Sequence, residues 1–188
     1  MSFPTIKHLA LAAGFAFSLT LVPALAATSV MVGGAPMLSS KVIPENASKA
    51  KNLTTLVTAV KAAGLVDTLA SPGPFTVFAP TNAAFAKLPK GTVEKLVEPA
   101  MKAQLTGILT YHVVPGALTA ADLKEQAMSM GGKAELKTVQ GGTLTVSTKG
   151  KWVLITDEAG NVARVEIADV MQKNGVVHVI DHVLMPHM

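Results

Sequence analysis

Two histidines four residues apart, His178 and His182, are the first candidates for metal chemistry in this 188-residue chain. Such a pair can hold one ion when it lies on a helix. Here the neighbours Val176, Val177, Val179 and Ile180 are β-branched and predict a strand. In a strand the two rings stand about 13 Å apart, too far for one ion even with Asp181 beside them. Ser48-Lys-Ala-Lys51 has the Ser-x-x-Lys spacing of serine acylases, but the companion Ser-Asp-Asn and Lys-Thr-Gly motifs are missing. No Gly-x-Ser-x-Gly, P-loop or dinucleotide fingerprint occurs. There is no cysteine, so a thiolate nucleophile and a Cys-based zinc site are excluded. Asp157-Glu158, close to Gly160, reads as a hairpin tip with solvated charges. Tyr111-His112 sits among Leu109, Val113 and Val114 and reads as buried, with His112 tying a helix end to the sheet. These residues point to no catalytic centre, no metal and no cofactor. Only a carboxylate pair distant in sequence stays open.

The formal charge is +4, and Arg164 is the only arginine. Nucleic-acid binders cluster Lys and Arg and use Arg on phosphates. The lysines here are scattered from Lys41 to Lys173, which reads as a solvated surface and not as a nucleic-acid site. Residues 1–26 read as a signal peptide. Lys7 and His8 form the basic start, 9–22 the apolar run, Pro23 the break, and Ala24-Leu25-Ala26 the cleavage site. The run is short for a bilayer span, and no later segment reads as one. A secreted or periplasmic protein is expected, with no membrane span after cleavage near Ala26. Asn46-Ala-Ser48 and Asn52-Leu-Thr54 match the glycosylation sequon and read as chance matches.

The elements that must position these side chains follow from periodicity. Residues 27–44, with Gly33, Gly34, Pro36 and Pro44, read as an extended lead-in to one domain over 45–188. Leu53, Leu56, Val57, Val60 and Leu65 recur at helical steps, with Gly64 as C-cap. A short helix over 66–70 and a strand over 75–79 come next. Thr81 or Asn82 caps the following helix. Residues 92–111 read as helix interrupted near Pro99, with Leu105, Ile108 and Leu109 facing inward. Thr119-Ala-Ala-Asp122 caps a further helix to about Gln126. Leu136 and Val139 fall in one strand, while Leu144 and Val146 alternate with Thr143, Thr145 and Ser147 in the next. Lys149-Gly150-Lys151 and Ala159-Gly160-Asn161 are turns around a strand that starts at Trp152. The last stretch, Asn174 to Pro186, carries apolar residues on both parities, so a strand there is covered on both faces. Helices early and strands late predict an α+β domain.

Phe75-Thr-Val-Phe-Ala-Pro-Thr-Asn-Ala-Ala-Phe85 resembles the first signature box of the fasciclin domain family. Tyr111-His-Val-Val-Pro-Gly116 resembles its central Tyr-His motif. Ala168-Asp-Val-Met-Gln-Lys-Asn-Gly-Val-Val-His-Val-Ile-Asp181, followed by Val183-Leu-Met-Pro186, resembles its second box. The three stand in the family's order and span residues 45–186, as in single-domain secreted bacterial members. The resemblance implies a wedge of two β-sheets packed with a cluster of helices. It implies a non-catalytic module for adhesion or matrix contact, partnered by a cell-surface or matrix protein or glycan. It marks Phe75, Phe78, Pro80, Thr81, Phe85, Asn174, Gly175, His178, Ile180 and Asp181 as fold-signature residues. Tyr111 and His112 correspond to a motif linked to integrin recognition in animal members. A second animal adhesion motif, Glu-Pro-Asp-Ile-Met, falls on residues 167–171. Asp169 and Met171 match it, Val170 is a mild change, and Ile167 and Ala168 replace the acid and the proline. Tyr111, His112, Asp169 and Met171 are thus the candidate interaction residues. Two other functions stay open, an envelope or polysaccharide hydrolase and a carrier of an apolar ligand between sheets and helices. A deep pocket with a shifted titratable pair marks the enzyme, a flat apolar patch the interaction module, and a dry cavity the carrier.

Overall fold

A computed structural model describes residues 29–187. The expected signal peptide lies outside the described residues. The chain runs through β1 (Val30–Val32), β2 (Ala35–Met37), α1 (Ile43–Ala47), α2 (Thr54–Ala63), α3 (Val66–Ala70) and β3 (Phe75–Pro80). Then come α4 (Asn82–Ala86), α5 (Thr92–Leu96), a 3-10 turn (Pro99–Met101), α6 (Lys102–Tyr111), β4 (Val113–Pro115) and α7 (Ala120–Ser129). Strands β5 (Lys133–Lys137), β6 (Thr143–Lys149), β7 (Trp152–Thr156), β8 (Val162–Gln172) and β9 (Gly175–Ile180) finish it.

Local chemistry sets the boundaries. Gly64 ends α2 at φ 72°, a left-handed conformation that a Cβ would oppose. Thr81 caps α4 by accepting from the Ala84 N–H. Thr119 and Asp122 form a reciprocal capping box on α7. Three expectations need correcting. The lead-in over 27–44 is not simply extended, because β1 and β2 form a hairpin and α1 starts at Ile43. Val32, Met37 and Ile43 are apolar and buried, and burying them holds this segment against the domain. Val139 falls beyond β5 and is exposed, since the turn at Thr138–Gly141 has already ended the strand. Helix α7 runs past Gln126 to Ser129, carried by buried Leu123 and Ala127 on one face.

The main sheet has the order β4-β3-β9-β8-β7-β6-β5. Only β3 and β9 pair in parallel, from Phe75↔Gly175 to Pro80↔Ile180. Strand β8 is the hinge of the wedge. Residues Val162 to Arg164 pair with β7, and Val165 to Gln172 pair with β9, with two register shifts between. The Val139 N–H donates to the Val113 carbonyl at 2.8 Å, drawing the far end back toward β4 in a barrel-like closure. Strand β9 is buried at every position and divides two cores. Val177 and Val179 face the helical layer together with Leu56, Val60, Leu105 and Ile108. Ile180 faces the inside of the wedge, with Phe78, Leu123, Leu144, Val146 and Ile155. The mixed pattern of helices over a two-sided, bent sheet is the α+β architecture that the sequence predicts.

Candidate functional site

The buried polar residues of the wedge form a seam rather than a reactive centre. His178 lies on β9, fully buried, its ring stacked on Phe78 with centroids 5.7 Å apart. Its Nε2 donates to the Leu118 carbonyl at 2.8 Å, and its Nδ1 accepts from the Asp169 N–H at 3.3 Å. Burial pushes its pKa below the ordinary value for histidine. Asp169 takes φ 56°, a conformation that Asp tolerates better than most residues. That turn lets its carboxylate accept from the Ala120 N–H at 2.6 Å, at the positive end of α7. The Thr76 hydroxyl donates to the Gly116 carbonyl and accepts from the Leu118 N–H. Together these bonds fix the β4–α7 loop over the sheet.

Tyr111 and His112 end α6 in the same manner. The Tyr111 hydroxyl donates to the Thr143 carbonyl at 2.8 Å and accepts from the Glu158 N–H at 3.1 Å. Desolvation, with the nearby carboxylates of Glu158 and Asp157, pushes its pKa up to about 12. His112 Nδ1 donates to the Ile108 carbonyl, and Nε2 accepts from the Leu184 N–H at 3.0 Å. Complete burial lowers its pKa to about 4. Tyr111 is 0% and His112 3% exposed, so neither side chain can touch a partner in this conformation. Of the four candidate interaction residues, Asp169 is half-buried at its helix cap, and only Met171 is exposed.

Two readings near this seam are corrected. Asp157 is not a solvated tip residue but is 6% exposed. Its carboxylate accepts from Asn161 and from the Met185 N–H at 2.8 Å, which pins the chain end. Glu158 accepts from Thr143 and His187 N–H groups, and these bonds keep its carboxyl below the usual carboxylate range. The spacing argument for His178 and His182 also changes, because β9 stops at Ile180. His182 lies past the strand and its Nδ1 bonds to Asp181 at 2.8 Å, while His178 points into the seam. Among the described residues no group of three or more His, Cys, Asp and Glu could hold a metal ion.

The other signature residues are structural. Asn174 donates to the Leu69 and Ser71 carbonyls and accepts from the Ile43 N–H, tying α3 and α1 to the start of β9. Phe85 and Pro80 are buried and Phe75 is half-buried. Asp181 accepts from the Arg164 N–H at 2.7 Å and lies 3.8 Å and 3.9 Å from the Arg164 and Lys87 cations. Burial raises its pKa, but the His182 and Arg164 hydrogen bonds and the Lys87 charge outweigh that and leave it lowered.

The outer face of β5–β8 is open to solvent. Buried positions alternate with outward ones through β5, Thr143–Ser147, β7 and Val162–Glu166. Register places Lys133, Ser147, Leu154 and Arg164 in one row across four strands, and Glu135, Thr145, Thr156 and Val162 in the next. Trp152, opposite Lys149, is 37% exposed. The Lys151 ammonium and the Arg164 guanidinium stand 4.9 Å and 4.8 Å from its ring centre. This face was not singled out from the sequence. Its signal was present in the polar half of the Thr143 to Ser147 alternation and in a Trp set in a charged turn.

Comparison with known proteins accords with this anatomy. The fasciclin domain profile matches residues 51–186. The protein sll1483 of Synechocystis sp. is 47% identical over 160 residues, covering 85% of this chain and 82% of its own. The transforming growth factor-beta-induced protein ig-h3 of Sus scrofa is 42% identical over 131 residues, 70% of this chain and 17% of its own. Among solved structures, the FAS1 domain pair of the insect cell adhesion molecule fasciclin I superposes with a TM-score of 0.71. It does so at 20% identity, over 79% of this chain and 52% of that one. With its three motifs assembled around one sheet seam, the chain belongs to the fasciclin domain family.

Proposed function

We propose that the protein is an exported, non-catalytic interaction module that binds an acidic component of the extracellular matrix or envelope on the open face of β5–β8. The observation that carries this reading is the composition of that face. Lys133, Lys137, Lys149, Lys151 and Arg164 outnumber Glu135 and Glu166 there, around an exposed Trp. Trp and Arg are the residues that most often dominate binding energy, and a flat polar rim suits an extended partner. Fasciclin I is a cell adhesion molecule, and its likeness to this chain supports the same general role here. The catalytic reading draws no support from the ionisable groups of the seam. His112 and His178 have both ring nitrogens engaged with backbone groups, which leaves neither free as a general base.

One modest patch gives weak binding, in the micromolar range or weaker. Many copies on a surface raise it by avidity. Changing Trp152 and Arg164 together to alanine is expected to weaken binding to extracted matrix at least tenfold, with the fold unchanged by circular dichroism. Surface plasmon resonance on matrix protein and on an acidic polysaccharide separates the two kinds of partner. Undiminished binding by the double variant, or clear turnover in a hydrolase screen of the wild type, overturns the proposal. Export is supported by residues 1–26. Intact-mass measurement of the exported protein is expected to find a start near Ala27, and an uncleaved cytosolic chain would end the exported reading.

A further inference from the structure

The helical layer does not close fully on the sheet. A cavity of about 130 Å3 lies between them. Val113 on β4, Val77 on β3, Val177 on β9 and Val170 on β8 form its floor, and Leu56 and Val60 of α2 stand over it. Four adjacent strands at their usual spacing make a floor about 14 Å across. Its wall offers a guest almost nothing polar. His112 spends both ring nitrogens on Ile108 and Leu184. Asn46 is held by Leu38 and Gln172, and the Gln172 amide by Val170. The one buried side-chain polar atom without a partner among the described residues is Asn52 Oδ1, which is not on the wall.

Water deep in such a space lacks the two to four polar partners it needs. Apolar cavities of about 150 Å3 stay dry and take up benzene. Ser48, Lys61 and Thr68, all exposed, mark an opening between α1, α2 and α3. We infer that this cavity is a binding site for an uncharged hydrocarbon group of about benzene's size, a ring or a short chain, admitted between α1, α2 and α3. The site is separate from the outer face of β5–β8 and stands whether or not that face binds matrix.

The inside of the wedge supplies an internal control, since Leu123, Leu144 and Val146 belong to a different core. Benzene is titrated into the protein, and methyl resonances are followed by NMR. Leu56, Val60, Val177 and Val179 are expected to shift saturably while Leu123, Leu144 and Val146 stay still. Absence of shifts, or equal shifts in both cores, overturns the inference. A second titration uses sodium decanoate. Shifts of the same methyls assign the site to the tail of an amphiphile, whereas a response to benzene alone assigns it to a free hydrocarbon. Ala47 lines the cavity at the end of α1 and is half-buried. Ala47→Leu is expected to lower benzene affinity at least tenfold. A folded variant with unchanged affinity rejects the site, and if the variant fails to fold, the wild-type titration decides alone.

Discussion

Lowering the pH from 7 to 4 is expected to remove about 3 kcal/mol of folding stability through His112 alone. The cause is geometric. His112 is buried at the end of α6, where Nδ1 is committed as a donor to Ile108 and Nε2 as an acceptor from Leu184. Nε2 can take a proton only by giving up the Leu184 N–H and charging a desolvated ring. Desolvation therefore holds the folded pKa at about 4, although the Ile108 bond and the Asp157 charge push the other way. The unfolded imidazole takes its proton near pH 6.5. Between those values the unfolded state binds more protons, so stability is full above pH 6.5 and falls as the pH drops toward 4. His178 is lowered for the same reason and adds in the same direction. Chemical denaturation at pH 7, 6, 5 and 4.5 reads the slope, and His112→Gln is expected to flatten it while costing about 1–3 kcal/mol at pH 7 through an unpaired backbone group. A wild-type stability that stays level from pH 7 to 4.5 would show that the ring is not held neutral by its surroundings.

Much of this arrangement could be read from the residues. The burial of Tyr111 and His112 followed from their apolar neighbours, and the two covered faces of β9 followed from apolar residues on both parities. Helix ends were legible at Gly64, Thr81 and Thr119 because caps are local chemistry. What failed was non-local. Asp157-Glu158 looked solvated because a hairpin tip next to Gly160 usually is. Glu158 is indeed exposed, but Asp157 is buried, and its carboxylate is held by the Met185 N–H, 28 positions away. Asp169 was legible as a motif match but not as the cap of α7, a bond between residues 49 positions apart. The outer face was missed because a half-exposed Thr or Lys carries no mark of its own. Only register shows that Lys133, Ser147, Leu154 and Arg164 stand in line.

Gly175→Ala is expected to be among the most damaging small substitutions in the described residues, costing about 4 kcal/mol or more, in the tail of single-residue effects. Its backbone conformation is not the reason, since Gly175 has no positive φ. The reason is the approach of β3. A Cβ at Gly175 would stand 2.9 Å from both the backbone C and N of Phe75 and overlap its carbonyl oxygen. That atom is rigid backbone in the partner strand, so it cannot turn aside as a side-chain end would. Room can come only from moving β9 away from β3. This is the parallel pair of the main sheet, in register from Phe75↔Gly175 to Pro80↔Ile180. The preceding Asn174 would move too, and with it the bonds that tie α1 and α3 to the sheet. The matching control is Gly107→Ala in α6, where a Cβ meets nothing within 4 Å. There the same added methyl is expected to stabilise by about 0.5–1 kcal/mol, because alanine loses less backbone freedom in a helix than glycine does. Urea unfolding of both variants beside the wild type measures the two signs together. A Gly175→Ala protein within about 1 kcal/mol of wild type would mean that β3 and β9 can separate locally, and the seam would then not depend on their contact.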